Sequence, residues 1–348
     1  MASAIRIGIV GAGDNTRVRH IPGLQAQEGV EIVSVCNRSR ESSQRVAQEF
    51  GIPTIHGNWR ELVASDGIDA VVIGTWPYLH CPITLAALEA GKHVMTEARM
   101  AMDAGQARLM LEESQANPHL VTQIVPSPIT LRVDGMIRKL VAEGYLGEIL
   151  AVDVTNNANS FVDRSGPLHW RHDRDLSGFN ILAMGIWYEA LMRWVGEAVE
   201  VMAMTQVNVT SRGTPEGVLQ TITIPDHVDI LAKMACGAQA RMQFSAVTGL
   251  AASISRTWLF GSEGTLCYDL DADELSGGKR GDSDLAPIAI PAELEGNWRV
   301  EEEFINAIRG EEKISHTSFE DGLKYMQFTE AVTRSARSGV SVSVQDVG

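Results

Sequence analysis

Residues 5–17 read IRIGIVGAGDNTR, and this stretch decides the architecture of the first part of the chain. An apolar run, Ile5–Val10, ends at two closely spaced glycines, Gly11 and Gly13, and a helix-compatible segment continues to about Gln27. Apolar strand, glycine turn and helix in this order are typical of the first unit of a parallel α/β sheet. The residues that follow should then repeat strand and helix in alternation.

The residues up to 125 do repeat this alternation. Apolar runs occupy 30–36, 69–75, 93–97 and 120–125, with helix-compatible segments between them. Gly51 and Gly91 follow two of those segments at the position of a helix C-cap. Continuous apolar strands separated by helices indicate a parallel sheet that is covered on both faces. We therefore predict a doubly wound α/β domain over residues 1–125.

The pattern changes after residue 125. A predicted helix, VDGMIRKLVAEG (133–144), precedes a strand, EILAVDVTNN (148–157), and a long helix is predicted at about 179–195. From about 199 to 290, strand follows strand with alternating polarity and Gly-marked turns, which favours a mostly antiparallel sheet. Predicted helices at about 297–309 and 318–338 close the chain. Residues 126–348 are thus predicted to form an α+β domain with a large sheet.

The composition limits the classes of protein to which the chain can belong. With 348 residues, 45% of them hydrophobic and 21% charged, it has the length of two ordinary globular domains. Its formal net charge of −15 argues against nucleic-acid binding, which uses clustered Lys and Arg. No apolar run is long enough to span a membrane and the first strand begins too early for a signal peptide, so we expect a cytoplasmic protein. The cysteines show neither metal-binding nor disulfide spacing, so we expect no metal; they are Cys36, Cys81, Cys236 and Cys267.

The glycine turn after the first strand predicts a nucleotide site. Glycines there let a pyrophosphate approach backbone N–H groups at a helix N-terminus. A complete dinucleotide fingerprint has a third small residue at position 16, where this chain has Thr16. The predicted cofactor-binding residues of the turn are Gly11, Gly13, Asn15 and Thr16. A plain tight turn, or a degenerate site that holds nothing, is the alternative.

The end of the second strand selects between NAD and NADP. An NAD-binding site usually has an acidic residue there for the ribose hydroxyls. This chain has CNRSR, with Asn37 and Arg38 as the predicted cofactor contacts. Arg38 could pair with a 2′-phosphate, whereas a carboxylate would repel it. The pattern therefore favours NADP over NAD, unless Arg38 is simply an exposed residue at the start of a helix.

Segments along nearly the whole chain resemble one family. They are DAVVIGTWPYLHCPITLAALEAGKHVMTE (69–97), LVAEGYLGEIL (140–150), HWRHDRDLSG (169–178), EEFINAIRG (302–310) and FEDGLKYMQFTEAVTRSARSG (319–339). In this order they resemble the glucose–fructose oxidoreductase / inositol dehydrogenase / MocA family (Gfo/Idh/MocA). The resemblance implies a Rossmann domain followed by an α/β domain with an open sheet, often used to form homodimers or homotetramers. It also implies NAD(P)-linked oxidation or reduction of sugars, polyols or related small molecules.

The same resemblance assigns further cofactor contacts. Thr75 and His80 keep the family's Thr-Pro-x-x-x-His spacing, with Trp76 at the proline position. The resemblance implies that these three residues line the cofactor beside the nicotinamide and that Glu97 lies near the nicotinamide ribose. His80 follows the C-terminal end of a strand, where ligands of α/β sheets bind, although a histidine that merely starts a helix is the alternative.

The family's proton-handling residues are missing from this chain. Where the family has Lys in Glu-Lys-Pro, this chain has Ala98, followed by Arg99. Where the family has Asp-x-x-x-His, alignment through Gly178 and Gly185 places Ala183 and Trp187. Neither Ala nor Trp can move a proton in practice, and a positioned acid–base group contributes about 10²–10⁴-fold to the rate. The site has either been rebuilt or has lost its chemistry.

Nearby side chains are candidates for the missing roles. His172 is the first catalytic candidate because its ordinary pKa suits acid–base work, although a solvated loop histidine is equally compatible with RHDRD. Tyr188 is the second, because the large residues at 186–188 should not all face a core. The predicted substrate contacts are His169, Arg171, Asn180 and Trp187. Arg171 could instead pair with Asp173 or Asp175, and Trp187 could be a core residue.

We therefore predict an NAD(P)-dependent oxidoreductase that acts on a sugar-like or polyol small molecule with a non-standard acid–base residue. Two alternatives remain open. One is a lyase or glycosidase-type enzyme that uses transient oxidation by a tightly bound nucleotide. The other is a non-catalytic, nucleotide-binding regulatory protein on the same fold.

Overall fold

A computed structural model describes residues 4–158, 160–214, 216–251 and 254–348. Over these residues the chain divides into two compact units. The first unit contains Met1–Pro126 and Arg299–Leu323, and the second contains Ser127–Trp298 and Lys324–Gly348. The division after 126 lies one residue from the boundary that the sequence predicts. Residues 299–323 differ from that prediction, because they pack with the first unit.

The strands form the two predicted sheets and a third sheet of two short strands. In chain order they are β1 (Ile5–Val10), β2 (Val30–Cys36), β3 (Thr54–Ile55), β4 (Ala70–Ile73), β5 (His93–Thr96), β6 (Thr122–Ile124), β7 (Ile149–Asn157), β8 (Ala198–Gln206), β9 (Ser211–Gly213), β10 (Leu219–Thr221), β11 (His227–Met234), β12 (Gln239–Ser245), β13 (Ile254–Gly261), β14 (Gly264–Asp269), β15 (Glu274–Lys279), β16 (Ala286–Pro287) and β17 (Val342–Ser343).

The helices lie between these strands and at the end of the chain. They are α1 (Ile21–Gln25), α2 (Arg40–Phe50), α3 (Trp59–Val63), α4 (Pro77–Glu89), α5 (Ala104–Ala116), α6 (Leu131–Ala142), α7 (Arg174–Ser177), α8 (Met184–Val195), α9 (Val300–Arg309) and α10 (Phe319–Ser338). A π-helical turn, Thr16–His20, leads into α1, and a 3₁₀ turn, Trp170–His172, precedes α7.

The sheet of the first unit is parallel, with the strand order β3-β2-β1-β4-β5-β6. Every residue of β4 is buried, as expected for a central strand that has helices on both faces. Side-chain caps begin the covering helices: Ser39 accepts a hydrogen bond from the Ser42 amide at α2, and Asp103 accepts one from the Gln106 amide at α5. Gly51 ends α2 in the left-handed conformation, with φ +69°. The predicted doubly wound Rossmann fold is confirmed.

The large sheet of the second unit is mixed, with the strand order β16-β15-β14-β13-β7-β12-β11-β8-β17. Its pairs are antiparallel except for β7 with β12, which run parallel. Buried and exposed residues alternate along β11 and β12, so one face of the sheet lies in the core and the other meets solvent. The prediction of a large, mostly antiparallel sheet is confirmed.

The long helix predicted at 179–195 begins later than expected. The helix α8 starts at Met184, and Phe179–Ala183 lie outside it. Gly178, at φ +64°, ends α7, and Leu182 has a positive φ of +43°, so the backbone turns twice before it becomes helical. The apolar pattern of 179–195 concealed this break because both parts are rich in large hydrophobic residues.

Over the described parts of the chain, no helix is both long enough and apolar enough to cross a membrane. The cytoplasmic location expected from the sequence remains a prediction.

Candidate active site

The glycine turn after β1 is packed tightly against the end of β4. Gly11 has φ +85°, and a Cβ there would lie 2.7 Å from Cγ2 of Thr75. A Cβ at Gly74 would lie 2.1 Å from Oγ1 of Thr16, which is buried and donates a hydrogen bond to the Gly11 carbonyl at 3.3 Å. The Thr16 side chain therefore packs against both Gly11 and Gly74, at the position where a full fingerprint has a small residue.

Gly13 differs from Gly11 in what surrounds it. It is exposed, and a Cβ there would meet nothing nearer than the Gly74 carbonyl oxygen at 3.8 Å. The open space above Gly13 lies beside the start of the helix that leads through the π-helical turn into α1. A dinucleotide pyrophosphate fits such a place, because N–H groups of a first helical turn have no intrahelical partners.

The ends of β2 and β4 meet at this turn. Asn37 accepts a hydrogen bond from the Ala12 amide at 2.7 Å and donates one to Oγ of Ser42 at 3.0 Å, which ties β2 and α2 to the glycine turn. Arg38 is exposed, and its guanidinium carbon lies 5.5 Å from the ring centroid of Trp76. Thus Asn37, Arg38 and Trp76, predicted separately as cofactor contacts, lie around one edge of the sheet.

His80 is completely buried in α4. Its Nε2 lies 2.9 Å from the Thr75 carbonyl oxygen, and its Nδ1 lies 2.9 Å from the Arg99 carbonyl oxygen. Burial lowers the pKa of His80, and the two carbonyls oppose that effect. A side chain without exposed surface cannot line a nucleotide, so the expected nicotinamide contact is replaced by a positioning role. His80 ties the end of β4 to the segment that follows β5.

The end of β5 carries a partly exposed carboxylate next to the missing lysine. The Glu97 side chain is 17% exposed, and its Oε2 accepts a hydrogen bond from the Ala98 amide at 3.2 Å. Its Oε1 accepts a short hydrogen bond from the amide group of Asn15. Ala98 is half-buried and Arg99 is buried. The structure therefore brings together Asn15 and Glu97, which the sequence placed on different turns.

A buried histidine joins Glu97 to a second carboxylate. His20 ends the π-helical turn and has no exposed surface; its Nε2 lies 3.0 Å from Oε1 of Glu97 and its Nδ1 lies 2.5 Å from Oε1 of Glu301. Glu301 comes from the first turn of α9 and is also buried. We call this row, Glu97, His20 and Glu301, the acid–histidine–acid row. Sequence reasoning missed it, because Glu301 is 281 residues from His20 and no local pattern pairs them.

The electrostatics of the row favour an ionised state. Burial by itself would lower the pKa of His20, but its hydrogen bonds to Glu301 and Glu97 outweigh burial and raise that pKa to about 9. Burial by itself would raise the pKa of Glu97, but hydrogen bonds from His20 and Asn15 outweigh it and hold that pKa below its usual value. At neutral pH, His20 is therefore an imidazolium and Glu97 a carboxylate.

In the second unit, the predicted residues of the 3₁₀ turn form a compact group. Nδ1 of His172 accepts a hydrogen bond from the His169 amide at 3.2 Å, and Nδ1 of His169 accepts one from the Arg171 amide at 3.2 Å. The Arg171 guanidinium carbon lies 4.2 Å from the ring centroid of Trp170. Because each Nδ1 accepts a hydrogen bond, the ring proton of each neutral histidine is on Nε2.

Both of these histidines are neutral at pH 7. Burial, with Arg212 and His169 as further causes, lowers the pKa of His172. Burial and the charge of Arg171 lower the pKa of His169. A neutral imidazole can accept a proton or donate a hydrogen bond, so the geometry is compatible with the roles predicted for this group.

Tyr188 does not occupy the position that the sequence predicts. It is completely buried, its ring stacks on Phe328 with centroids 3.7 Å apart, and its hydroxyl accepts a hydrogen bond from the Ala198 amide at 2.7 Å. Burial raises the pKa of Tyr188 well above its usual range. A catalytic role for Tyr188 is therefore wrong for this structure, because the α8 register turns its ring into the core of the second unit.

Trp187 and Asn180 are also buried, with exposed fractions of 3% and 1%. Trp187 packs in the core beside Tyr188, so the predicted stacking on a sugar is replaced by a packing role. The amide group of Asn180 donates a hydrogen bond to the Ser177 carbonyl at 2.7 Å, and this bond holds the turn between α7 and α8. The Ala183 position precedes α8 as its N-cap and supplies no ionisable group.

Neither a cysteine pair nor a metal site accompanies these groups. In the part of the chain that the structure describes, no cluster of three or more His, Cys, Asp or Glu side chains is arranged to hold a metal ion.

Two family profiles match the chain. Residues 5–123 match the profile described as the Gfo/Idh/MocA oxidoreductase family with an NAD-binding Rossmann fold, and residues 136–267 match the Gfo/Idh/MocA C-terminal domain. Together the two profiles cover most of the chain and both of its units.

Curated relatives include sugar-acting enzymes. A dTDP-3,4-didehydro-2,6-dideoxy-alpha-D-glucose 3-reductase of Streptomyces violaceoruber is 26% identical over 76% of this chain and 73% of its own length. D-xylose 1-dehydrogenase (NADP(+)) of Hypocrea jecorina is 30% identical over 48% of this chain and 45% of its own length. An uncharacterized oxidoreductase of Rhizobium meliloti is 28% identical over 42% of this chain, and the match spans 44% of that relative.

The fold also matches solved structures over almost the whole chain. Levoglucosan dehydrogenase in complex with NADH and L-sorbose superposes with a TM-score of 0.86 at 22% identity, covering 98% of each chain. At this level of identity the superposition establishes the shared fold alone.

Proposed function

The chain belongs to the Gfo/Idh/MocA oxidoreductase family, and we propose that it transfers hydride between a nicotinamide nucleotide and a carbohydrate-like small molecule. The observation that carries the proposal is the glycine turn, in which Gly11 is packed against Thr75 while Gly13 has open space above it. The relatives that act on a dTDP-sugar and on D-xylose support a carbohydrate-like substrate. When bound, the nucleotide supplies the hydride acceptor or donor.

Residues of the first unit are the proposed nucleotide contacts, and residues of the second unit are the proposed substrate contacts. Gly11, Gly13 and Asn15 lie around the predicted pyrophosphate position, and Thr75 with Trp76 forms the edge of the nicotinamide side. In the second unit, His169, Arg171 and His172 are the proposed substrate contacts. Their hydrogen-bonding groups suit hydroxyls or a carboxylate, and the neutral His172 can share in proton transfer.

Nucleotide binding and turnover test the proposal. The purified protein should bind NADP or NAD in a calorimetric titration and should change the absorbance of reduced nicotinamide with at least one member of a panel of aldoses, polyols and uronic acids. Gly13→Val is the test variant, because it places a side chain in the open space above the turn, where a Cβ would meet nothing nearer than the Gly74 carbonyl oxygen at 3.8 Å. We expect it to weaken nucleotide binding by about tenfold or more, equivalent to roughly 1.4 kcal/mol, while the protein stays folded.

Other outcomes select the other functions. Product formed without net change in reduced nucleotide would identify the redox-assisted lyase or glycosidase. Nucleotide binding without turnover on any member of the panel would identify the non-catalytic regulatory protein.

We also propose that NADP is preferred to NAD. No carboxylate follows β2, and Arg38 stands there over the ring of Trp76. Because charge-assisted hydrogen bonds contribute about 1.5–3 kcal/mol, Arg38→Ala should weaken NADP binding by roughly tenfold to hundredfold and leave NAD binding almost unchanged. Arg45→Ala, which removes an exposed arginine paired with Glu41 on the same helix, is the control. Tighter binding of NAD than NADP by the unaltered protein would refute this preference.

We propose that the solvent face of the large sheet joins copies of the chain into a homodimer or homotetramer. Met202, Met204 and Leu231 are exposed on that face, beside the ion pair of Lys233 with Glu200. Exposed apolar side chains rimmed by charges are typical of protein interfaces. Light scattering should report an oligomer, and Met204→Asp combined with Leu231→Asp should reduce its mass. A monomer at micromolar concentration would contradict the proposal.

A further inference from the structure

We propose that Glu97 is the proton acceptor of this enzyme and that His20 and Glu301 are the positioning residues that hold it ionised. The inference rests on the proposed hydride transfer and assigns its proton step. It concerns the acid–histidine–acid row, which lies wholly within the first unit.

Glu97 lies next to the position of the missing lysine. It directly precedes Ala98, the residue that stands where the resembling family has its lysine. Of the row, Glu97 has the most exposed side chain, at 17%, whereas Glu301 is 5% exposed and His20 is fully buried. Only Glu97 can therefore both touch a molecule outside the unit and remain in contact with the buried part of the row.

Hydrogen bonds hold the carboxylate of Glu97 in one position. One oxygen of Glu97 accepts hydrogen bonds from Asn15 and His20, and the other accepts one from the Ala98 amide. These donors come from the turn after β1 and from the end of β5, so the side chain is held from two sides. A base fixed in this way loses little conformational entropy when a substrate arrives.

The charges within the row keep Glu97 ionised before it accepts a proton. The imidazolium of His20 lies between two carboxylates, so the row carries one net negative charge before it accepts a proton. Besides the row itself, His80 from α4 is the titratable group whose protonated form would lower the pKa of Glu97, and burial keeps His80 neutral at neutral pH. Proton uptake by Glu97 leaves one imidazolium facing one carboxylate, and the buried part of the row is then neutral. Burial by itself favours that protonated state, but the hydrogen bonds from His20 and Asn15 outweigh burial, so Glu97 is ionised and able to accept a proton before hydride transfer.

Glu301, at the end of the row opposite Glu97, occupies a space beside a glycine. Glu301 lies beside α1, and a Cβ at Gly23 would come within 2.9 Å of Cδ of Glu301. The absence of a side chain at position 23 leaves room for the buried carboxylate. The return of residues 299–323 to the first unit therefore delivers the group that keeps His20 protonated.

Oxidation of an alcohol removes one hydride and one proton from the substrate. When an alcohol is oxidised, the carbon loses hydride to oxidised nicotinamide, the C–O bond becomes a carbonyl, and the hydroxyl proton moves to a carboxylate oxygen of Glu97. The proton then leaves to water through the exposed edge of Glu97. In the reverse direction, protonated Glu97 returns the proton to the carbonyl oxygen. A carboxylate with a lowered pKa is a weak base at rest, but the hydroxyl becomes strongly acidic as hydride leaves.

Substitution of Glu97 is the decisive experiment. Glu97→Gln keeps the shape and removes the basic oxygen, so kcat should fall by about 10²-fold or more, while the Kd for nucleotide stays within about threefold. The control is Glu302→Gln, which removes a carboxylate from the same helix as Glu301 but from a surface pair with Arg299. Its kcat should not change. Loss of less than about fivefold in Glu97→Gln would overturn the assignment.

The positioning residues need a different readout. His20→Gln removes the positive charge beside Glu97, so the pKa of Glu97 should rise and the acidic limb of the pH profile of kcat/KM should move to higher pH. Glu301→Gln should lower the pKa of His20 measured by nitrogen NMR in the protein without ligand. A purely structural role would change the melting temperature and leave both readouts in place, which would overturn the positioning roles.

Failure of the inference differs from failure of the proposed function. If the unaltered protein binds nucleotide and turns over no substrate, the hydride transfer and the proton step are both refuted. If it turns over substrate and Glu97→Gln does so equally well, only the proton step is refuted. If His172→Gln alone removes the acidic limb, the proton acceptor is His172 and the assignment to Glu97 is overturned.

Discussion

Two histidines, one in each unit, have opposite charge states for the same physical reasons. His20 is fully buried and yet protonated, because carboxylates of Glu97 and Glu301 contact both of its ring nitrogens. His172 is half-buried and neutral, because burial and, after it, the charge of Arg212 lower its pKa. Burial alone would have ranked the two the other way round. The charge of the partners decides the protonation state once burial has removed water.

This difference separates two kinds of site. His20 belongs to an ionised row, and its removal takes away the imidazolium that contacts both Glu97 and Glu301. His172 belongs to an open turn in which backbone groups set the tautomer. Substitutions at His20, Glu301 and His172 test this contrast.

The largest effect is expected on stability. His20→Ala should lower the free energy of unfolding by about 3–5 kcal/mol, because the buried Glu301 and the partly exposed Glu97 would lose the imidazolium that contacts both. His172→Ala should cost roughly 1 kcal/mol, as for a half-buried turn residue. Urea unfolding at neutral pH measures both. Equal costs for the two variants would show that the row is not ionised.

The next effect is on the pH dependence of stability. The pKa of His20 is raised from its ordinary 6.5 to about 9, so the stabilisation by its proton is complete below pH 6.5 and is lost as the pH rises through 9. The advantage of the unaltered protein over His20→Gln should therefore shrink by up to about 3 kcal/mol between these limits. For His172, whose pKa is lowered, the sign is reversed: its stabilisation is complete above its ordinary pKa and is lost as the pH falls from there through the lowered pKa. Urea unfolding across this pH range is the measurement, and an advantage that does not change with pH would contradict the ionised row.

The smallest change is spectroscopic. At pH 7.5, nitrogen NMR should show His20 with protons on both ring nitrogens and His172 with its proton on Nε2 alone. Glu301→Gln should move the titration of His20 to lower pH and leave that of His172 unchanged. A response of both histidines to that substitution would mean that the two sites are not independent.

Most of the fold could be predicted from local sequence. The strands β1, β2, β4 and β5 are largely apolar runs, and glycines follow α2 and α4, so the hydrophobic pattern and the glycine positions indicate a parallel sheet. The alternation of polar and apolar residues in β11 and β12 likewise indicates a sheet with one solvent-exposed face. The start of α8 was not predictable in this way, because Phe179–Ala183 have the same apolar character as the helix that follows.

The candidate site was predictable only in part. Gly11, Asn37 and Thr75 follow strand ends, and parallel strands bring their C-terminal ends to one edge, so their assembly follows from the topology. Whether Tyr188 and Trp187 are buried depends on the register of α8, which their own residue types do not determine. His80 was expected at the ligand, but its two backbone partners hold it beneath the surface.

The sequence by itself determined the order of strands and helices, the glycine turn at the first strand, and the absence of lysine at position 98. These are local properties, set by side-chain periodicity, by backbone freedom at glycine and by residue identity. Only the tertiary structure decided that Glu97 is held by a buried imidazolium, because that depends on Glu301 returning to the first unit across 281 residues from His20. Protonation states inside a protein follow from which charges the fold brings together, and no local stretch of sequence contains that information.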